Sequence, residues 1–200
     1  MTAAVKAPET VAKKERIVQA AAVLFAEHGY HGTGVDQLCR AVGLGRGALY
    51  YHIASKEQVL FEICRRNVAE LVQIADRLES EDMHARQRLQ MMLRALLRNI
   101  ADNQQEWQVF FHDFGALTGT RSETVLRLRD RFESLIQGMM DECVRTGAFR
   151  PVAPIVTKGL LGFYNYSYLW LRADGPQTPE EVADIFFDVL VEGLRARSAS

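Results

Sequence analysis

Apolar residues recur at three- and four-residue spacing through almost the whole chain, and strict alternation over the length of a strand is missing. A period of 3.6 lays such residues along one stripe of a helix, whereas a half-buried strand needs a period of two. Only 14 glycines and 5 prolines punctuate the 200 residues, so the pattern predicts an all-α chain. Ile17, Ala20, Ala21, Leu24 and Phe25 mark a helix over 11–28, with Gly29 as its stop. Thr33 is placed to cap a short second helix carrying Val35, Leu38, Cys39 and Val42, which Gly43 ends. A third short helix is expected over about 45–53. Ser55 and Gln58 form a capping-box pattern at the head of a long fourth helix. Further helices are expected at 83–101, 103–117, 122–146, 153–171 and 178–196. Thr178, Pro179 and Glu181 give the last of these the clearest start, with an N-cap, a proline at the first helical position and a capping-box acid.

Hydrophobic residues at 48% and charged residues at 24% suit a packed domain that needs no disulfide or metal to fold. Apolar runs are only a few residues long, too short for a membrane span of ~20 residues. Residues 1–10 lack the apolar segment of a secretory signal and read as a flexible arm, so a cytoplasmic location is expected. Cys39, Cys64 and Cys143 have no paired spacing and are expected as small core residues. The net charge of −1 hides a mild gradient. Residues 1–60 hold seven Lys or Arg against five acids, and the remainder 17 against 20.

The two short helices, 33–42 and 45–53, meet at a glycine turn in the layout of a helix-turn-helix, whose second helix enters the DNA major groove. Plain packing units share that layout, so the residues decide. The run Gly29-Tyr30-His31-Gly32-Thr33, then Gly43-Leu44-Gly45-Arg46-Gly47-Ala48-Leu49-Tyr50-Tyr51-His52-Ile53, then Ser55-Lys56-Glu57, resembles the N-terminal domain of the TetR family of transcriptional regulators over about residues 13–61. The resemblance implies a three-helix DNA-binding domain over 11–56, followed by a helical bundle over 57–200 for effector binding and dimerisation. It places Thr33, Gly34, Leu44, Gly45, Arg46, Gly47, Ala48, Tyr51, His52 and Lys56 at the DNA-contacting positions. Thr33 would also offer a phosphate its hydroxyl, Arg46 would read guanine, and Lys56 would reach a phosphate. Gly47 would allow close approach of the backbone. Leu49 and Tyr50 are expected inside the small domain. Gly45 and Ala48 stand where the family often carries hydroxyl side chains, which bears on the operator sequence, and Ile53 replaces a common Phe in the core.

In the second half, Trp107, Phe110, Phe111 and Phe114 fall on one helical face. They form either bundle core or, with Met91, Met139, Phe163, Tyr164 and Tyr168, the wall of a cavity for an apolar, aromatic or acyl-CoA-like effector. His112 and Asp113 are candidates for its polar end, and Arg94, Arg98 and Arg121 for a carboxylate or phosphate. The helices at 153–171 and 178–196 carry more apolar surface than one bundle contact needs, which predicts a two-fold homodimer over a palindromic operator with half-sites ~34–36 Å apart or a multiple of that. The five histidines lack HExxH or HxE spacing, no GxSxG occurs, and the GxGxG of Gly43, Gly45 and Gly47 follows no strand. No catalytic residue, metal or cofactor is expected. The expected function is an effector-released repressor on double-stranded operator DNA. The alternatives are a ligand-dependent activator or co-repressor-requiring regulator of the same fold, and a helical small-molecule-binding protein without DNA binding.

Overall fold

Every regular element of the computed structural model, which describes residues 6–194, is helical. The elements are α1 (Lys6–Gly32), α2 (Val35–Val42), α3 (Arg46–His52), α4 (Lys56–Glu79), α5 (Ala85–Asp102), α6 (Gln104–Asp113), α7 (Gly119–Arg145), α8 (Ile155–Asn165) and α9 (Pro179–Leu194). Short 3-10 turns follow α6 at Phe114–Ala116 and α8 at Tyr166–Leu169. Residues 1–5 of the expected arm, and 195–196 of the expected last helix, lie outside the described residues. Residues 6–10 continue α1.

Local chemistry sets most of the boundaries. Gly29, at φ 74°, breaks the helical path of α1 where the stop was expected. Gly43, at φ 69°, ends α2 in a Schellman arrangement, its N–H donating to Arg40 O and that of Leu44 to Cys39 O. Ser55 Oγ accepts the Gln58 N–H at the head of α4. Thr178 and Glu181 form a full capping box before α9. Thr33 departs from expectation: it is fully buried, its hydroxyl donates to Leu24 O and Gly29 O of α1, and the N-cap of α2 is Gly34.

Among the described residues the chain forms two compact units, one of residues 6–67 and 105–125, the other of 68–104 and 126–194. Helix α6 belongs to the first of these and packs on the N-terminal core. Val109, Leu117 and Val125 are buried in one cluster with Ile17, Phe25, Leu38, Leu49 and Leu60, and Phe110 and Phe114 pack against it. A buried carboxylate, Glu106 of α6, pairs with Arg66 and accepts from Asn67 of α4, while Arg66 reaches Glu15 of α1. Glu57, in the first turn of α4, accepts from the Thr118 N–H and hydroxyl and from Arg121.

In the second unit α5 and α9 are clasped by two bidentate pairs, Arg94 with Asp184 and Arg98 with Glu180. Leu93, Leu96, Leu97, Met139, Phe149 and Phe187 fill its core. Tyr164, fully buried, donates its hydroxyl to Ala183 O. The three cysteines are buried and unpaired, and burial pushes the Cys64 thiol up to about 12 and the Cys143 thiol to about 11.

Candidate nucleic-acid interface

Helix α3 is held by one face and open on the other. Leu49 and Ile53 anchor it in the N-terminal core, and Leu44 of the preceding turn packs against the same cluster. On the outer side Arg46, Gly47, Ala48, Tyr50 and Tyr51 are exposed, Tyr51 at 73%. Tyr50 therefore corrects the expectation that placed it inside: at 48% exposure it belongs to the outer face. His52 is half-buried, its ring edge-on to Tyr51, and its Nδ1 is buried with no hydrogen-bond partner among the described residues. Gly34 and Gly45 are exposed at the heads of α2 and α3, and a Cβ built on Gly45 or Gly47 meets nothing within 4 Å. The open side of α3 thus presents one cation, two phenols and bare backbone to solvent.

Arg46 is not loose. Its Nε and Nη2 donate to the two carboxylate oxygens of Asp36, each at 2.7 Å, across the turn between α2 and α3. That bond, with the nearby Arg46 and Arg40 charges, holds the Asp36 carboxyl below the usual carboxylate range. Sequence reasoning missed Asp36, because a partner ten positions away across a turn has no helical spacing to reveal it.

Lys56 is likewise held by the chain itself. Its ammonium donates to Tyr30 O at 2.7 Å and Thr33 O at 2.9 Å and lies over the Tyr30 ring, 4.1 Å from the centroid. Two of its three protons thus bind backbone at and just beyond the end of α1, and the third is left for another partner. Burial lowers its pKa, with the Asp113 charge opposing that fall.

The nine residues expected around an effector divide between the two units. In the first, Trp107 is buried, stacked on Phe111 and edge-on to Phe110, and Phe110 and Phe114 serve the N-terminal core. In the second, Met139 and Tyr164 are buried, Tyr168 is half-buried, Met91 is on the surface, and Phe163, 44% exposed, packs on Phe186. A surface pocket of about 190 Å³ in that unit is lined by Trp170, Leu171 and Val182. His112 is exposed, and Asp113 faces Gly29 and Lys56. The guanidinium groups of Arg94, Arg98 and Arg121 are paired with carboxylates of the chain itself. Among the described residues no group of His, Cys, Asp or Glu could hold a metal ion, and no helix is long and apolar enough to cross a membrane.

Comparison with known proteins agrees in both halves. Residues 17–63 match the model of bacterial regulatory proteins of the tetR family, and residues 82–194 match that of the tetracyclin repressor-like C-terminal domain. The HTH-type transcriptional repressor KstR2 of Rhodococcus jostii is 24% identical over 185 residues, covering 91% of each chain. The TetR family transcriptional regulator PfmR of Thermus thermophilus superposes with a TM-score of 0.82 at 31% identity, covering 90% of this chain and all of that one. AibR, solved in complex with isovaleryl coenzyme A and operator DNA, superposes with a TM-score of 0.75 at 24% identity, covering 91% of this chain and 97% of that one.

Proposed function

Because the chain belongs to the tetR family of bacterial regulatory proteins, we propose that it is a sequence-specific repressor that binds a two-fold symmetric operator as a dimer and is released by a small effector. The observation that carries this reading is the open face of α3. A seven-residue helix fixed through Leu49 while Arg46, Tyr50 and Tyr51 stay exposed has the size and placement to enter a major groove. Arg46 would read a base, and Tyr51, His52 and the backbone at Gly34, Gly45 and Gly47 would face the duplex. The repressor sign follows the KstR2 relative, which carries that name.

Dimerisation is supported by apolar side chains left open on and beside α8 and α9: Ile155, Phe163, Tyr166, Trp170, Ile185 and Val189, each at least 44% exposed. Large apolar side chains left open in such number mark interfaces where they lie together. A second copy would cover them and set two α3 helices against successive grooves. For the effector, the likeness to AibR favours an acyl-coenzyme A thioester. Such a ligand releases DNA only by binding the non-operator state more tightly. Selection of bound sequences from random duplex DNA, followed by addition of acyl-coenzyme A thioesters of increasing chain length, tests the reading. A two-fold symmetric sequence released by one of the thioesters is expected. Recovery of an unenriched pool would refute the DNA-reading function, and an operator complex indifferent to every thioester would refute the effector class.

A further inference from the structure

The Asp36–Arg46 pair joins two exposed side chains, 58% and 67% accessible, and surface pairs of this kind add little to stability. Its consequence lies in geometry. A guanidinium presents five N–H groups in a plane. Asp36 takes the side edge, made of Nε–H and one proton of Nη2. The end edge, with the other Nη2 proton and one Nη1 proton, is left without a partner among the described residues. Two parallel donors on such an edge match O6 and N7 of guanine.

We propose that Asp36 is a specificity-determining positioning residue: it holds the side edge of Arg46 so that the end edge meets a guanine, and the two side chains read as one unit. This rests on the reading of α3 as the recognition helix. Three observations favour it over a pair that merely decorates the surface. Both carboxylate oxygens are engaged at equal distance, which fixes the plane of the fork and not just its charge. Glycines 45 and 47 flank Arg46, and a Cβ built on either would meet no other part of the chain within 4 Å, so the surface around the fork is open. The Arg46 hydrogen bond also holds the Asp36 carboxyl below the usual carboxylate range, so the pair favours the charged form of both partners.

Two effects follow. An arginine ordered before binding loses less side-chain entropy when it meets the base. A carboxylate at the groove edge accepts from cytosine N4 or adenine N6 and repels phosphates and acceptor edges, so it penalises wrong registers. The opposite hypothesis, that Asp36 competes with DNA for Arg46, predicts that its removal tightens operator binding.

The test uses the full chain, the duplex recovered by selection, single-base variants of it and a scrambled duplex, with Asp36→Ala, Arg46→Ala and the double variant. Thermal melting checks that each is folded. Asp36→Ala should lower the preference for the guanine that Arg46 reads about 10-fold, while affinity for the scrambled duplex rises because an acidic charge has gone. The double variant should discriminate no worse than Arg46→Ala alone, since the two residues act as a unit. Asp36→Ala with its guanine preference intact, or with tighter operator binding at unchanged preference, would overturn the proposal. A wild-type protein with no preferred sequence would instead overturn the DNA-reading function on which it depends.

Discussion

A lysine ammonium has three protons, and Lys56 gives two of them to Tyr30 O and Thr33 O while the ammonium lies over the Tyr30 ring. Charged hydrogen bonds of this kind hold the end of α1 to the head of α4, so the residue supports the DNA-binding unit from behind. Lys56→Met should lower the unfolding free energy by about 2 kcal/mol. It should leave the salt dependence of DNA binding unchanged, whereas loss of a phosphate contact would reduce the log–log slope by about one. Denaturant unfolding and a salt titration of the operator complex check both halves. At this scale the sequence was partly legible. The expected burial of Leu49 is seen, and Tyr51, which the resemblance puts at a DNA-contacting position, is exposed. Tyr50 and Thr33 escaped the reading for physical reasons. In a seven-residue helix the inner and outer faces differ by one residue, and a threonine beside a helix head can equally turn its hydroxyl back onto the preceding helix, as Thr33 does.

Among the elements, α6 is where spacing and structure part. Its aromatic stripe announces a buried face, but periodicity says nothing of what buries it, and the partner is the N-terminal core rather than a cavity wall alone. Phe110→Ala should therefore destabilise the unit of α1–α3 by about 2–4 kcal/mol, measured by chemical denaturation. A stability equal to wild type would show that the ring is dispensable to that core. The helix heads were easier, because Ser55 and Thr178 carry their chemistry locally and satisfy their helix heads as expected. The end of α8 was not: the expected run to 171 gives way to a 3-10 turn at Tyr166–Leu169, within a stretch of the aromatic and β-poor residues that periodicity counts as helix.

At the scale of the whole molecule, the α5–α9 clasp ties stability to acid. Hydrogen bonds from Arg94 and Arg98 hold the Asp184 and Glu180 carboxyls below their ordinary values, against the opposing effect of burial. Folded-state values below the unfolded ones mean that the pairs stabilise the fold fully only above about pH 5, begin to lose that effect as the pH reaches the ordinary carboxylate range, and have lost it once the pH has fallen through the depressed values. The Asp184→Asn, Glu180→Gln double variant should melt below wild type at neutral pH, and the gap should close in acid. A gap that persists undiminished at pH 3 would contradict this. The central claim, however, is that α3 reads sequence through Arg46. The direct measurement is the ratio of affinities for the selected operator and a scrambled duplex, at two salt concentrations, for wild type and Arg46→Ala. A ratio of about 10³ or more for wild type that falls by about 10-fold or more in the variant at both salts is predicted, with scrambled-DNA binding weakened steeply by salt in both. A wild-type ratio near one, or a variant that keeps the full ratio, would contradict it.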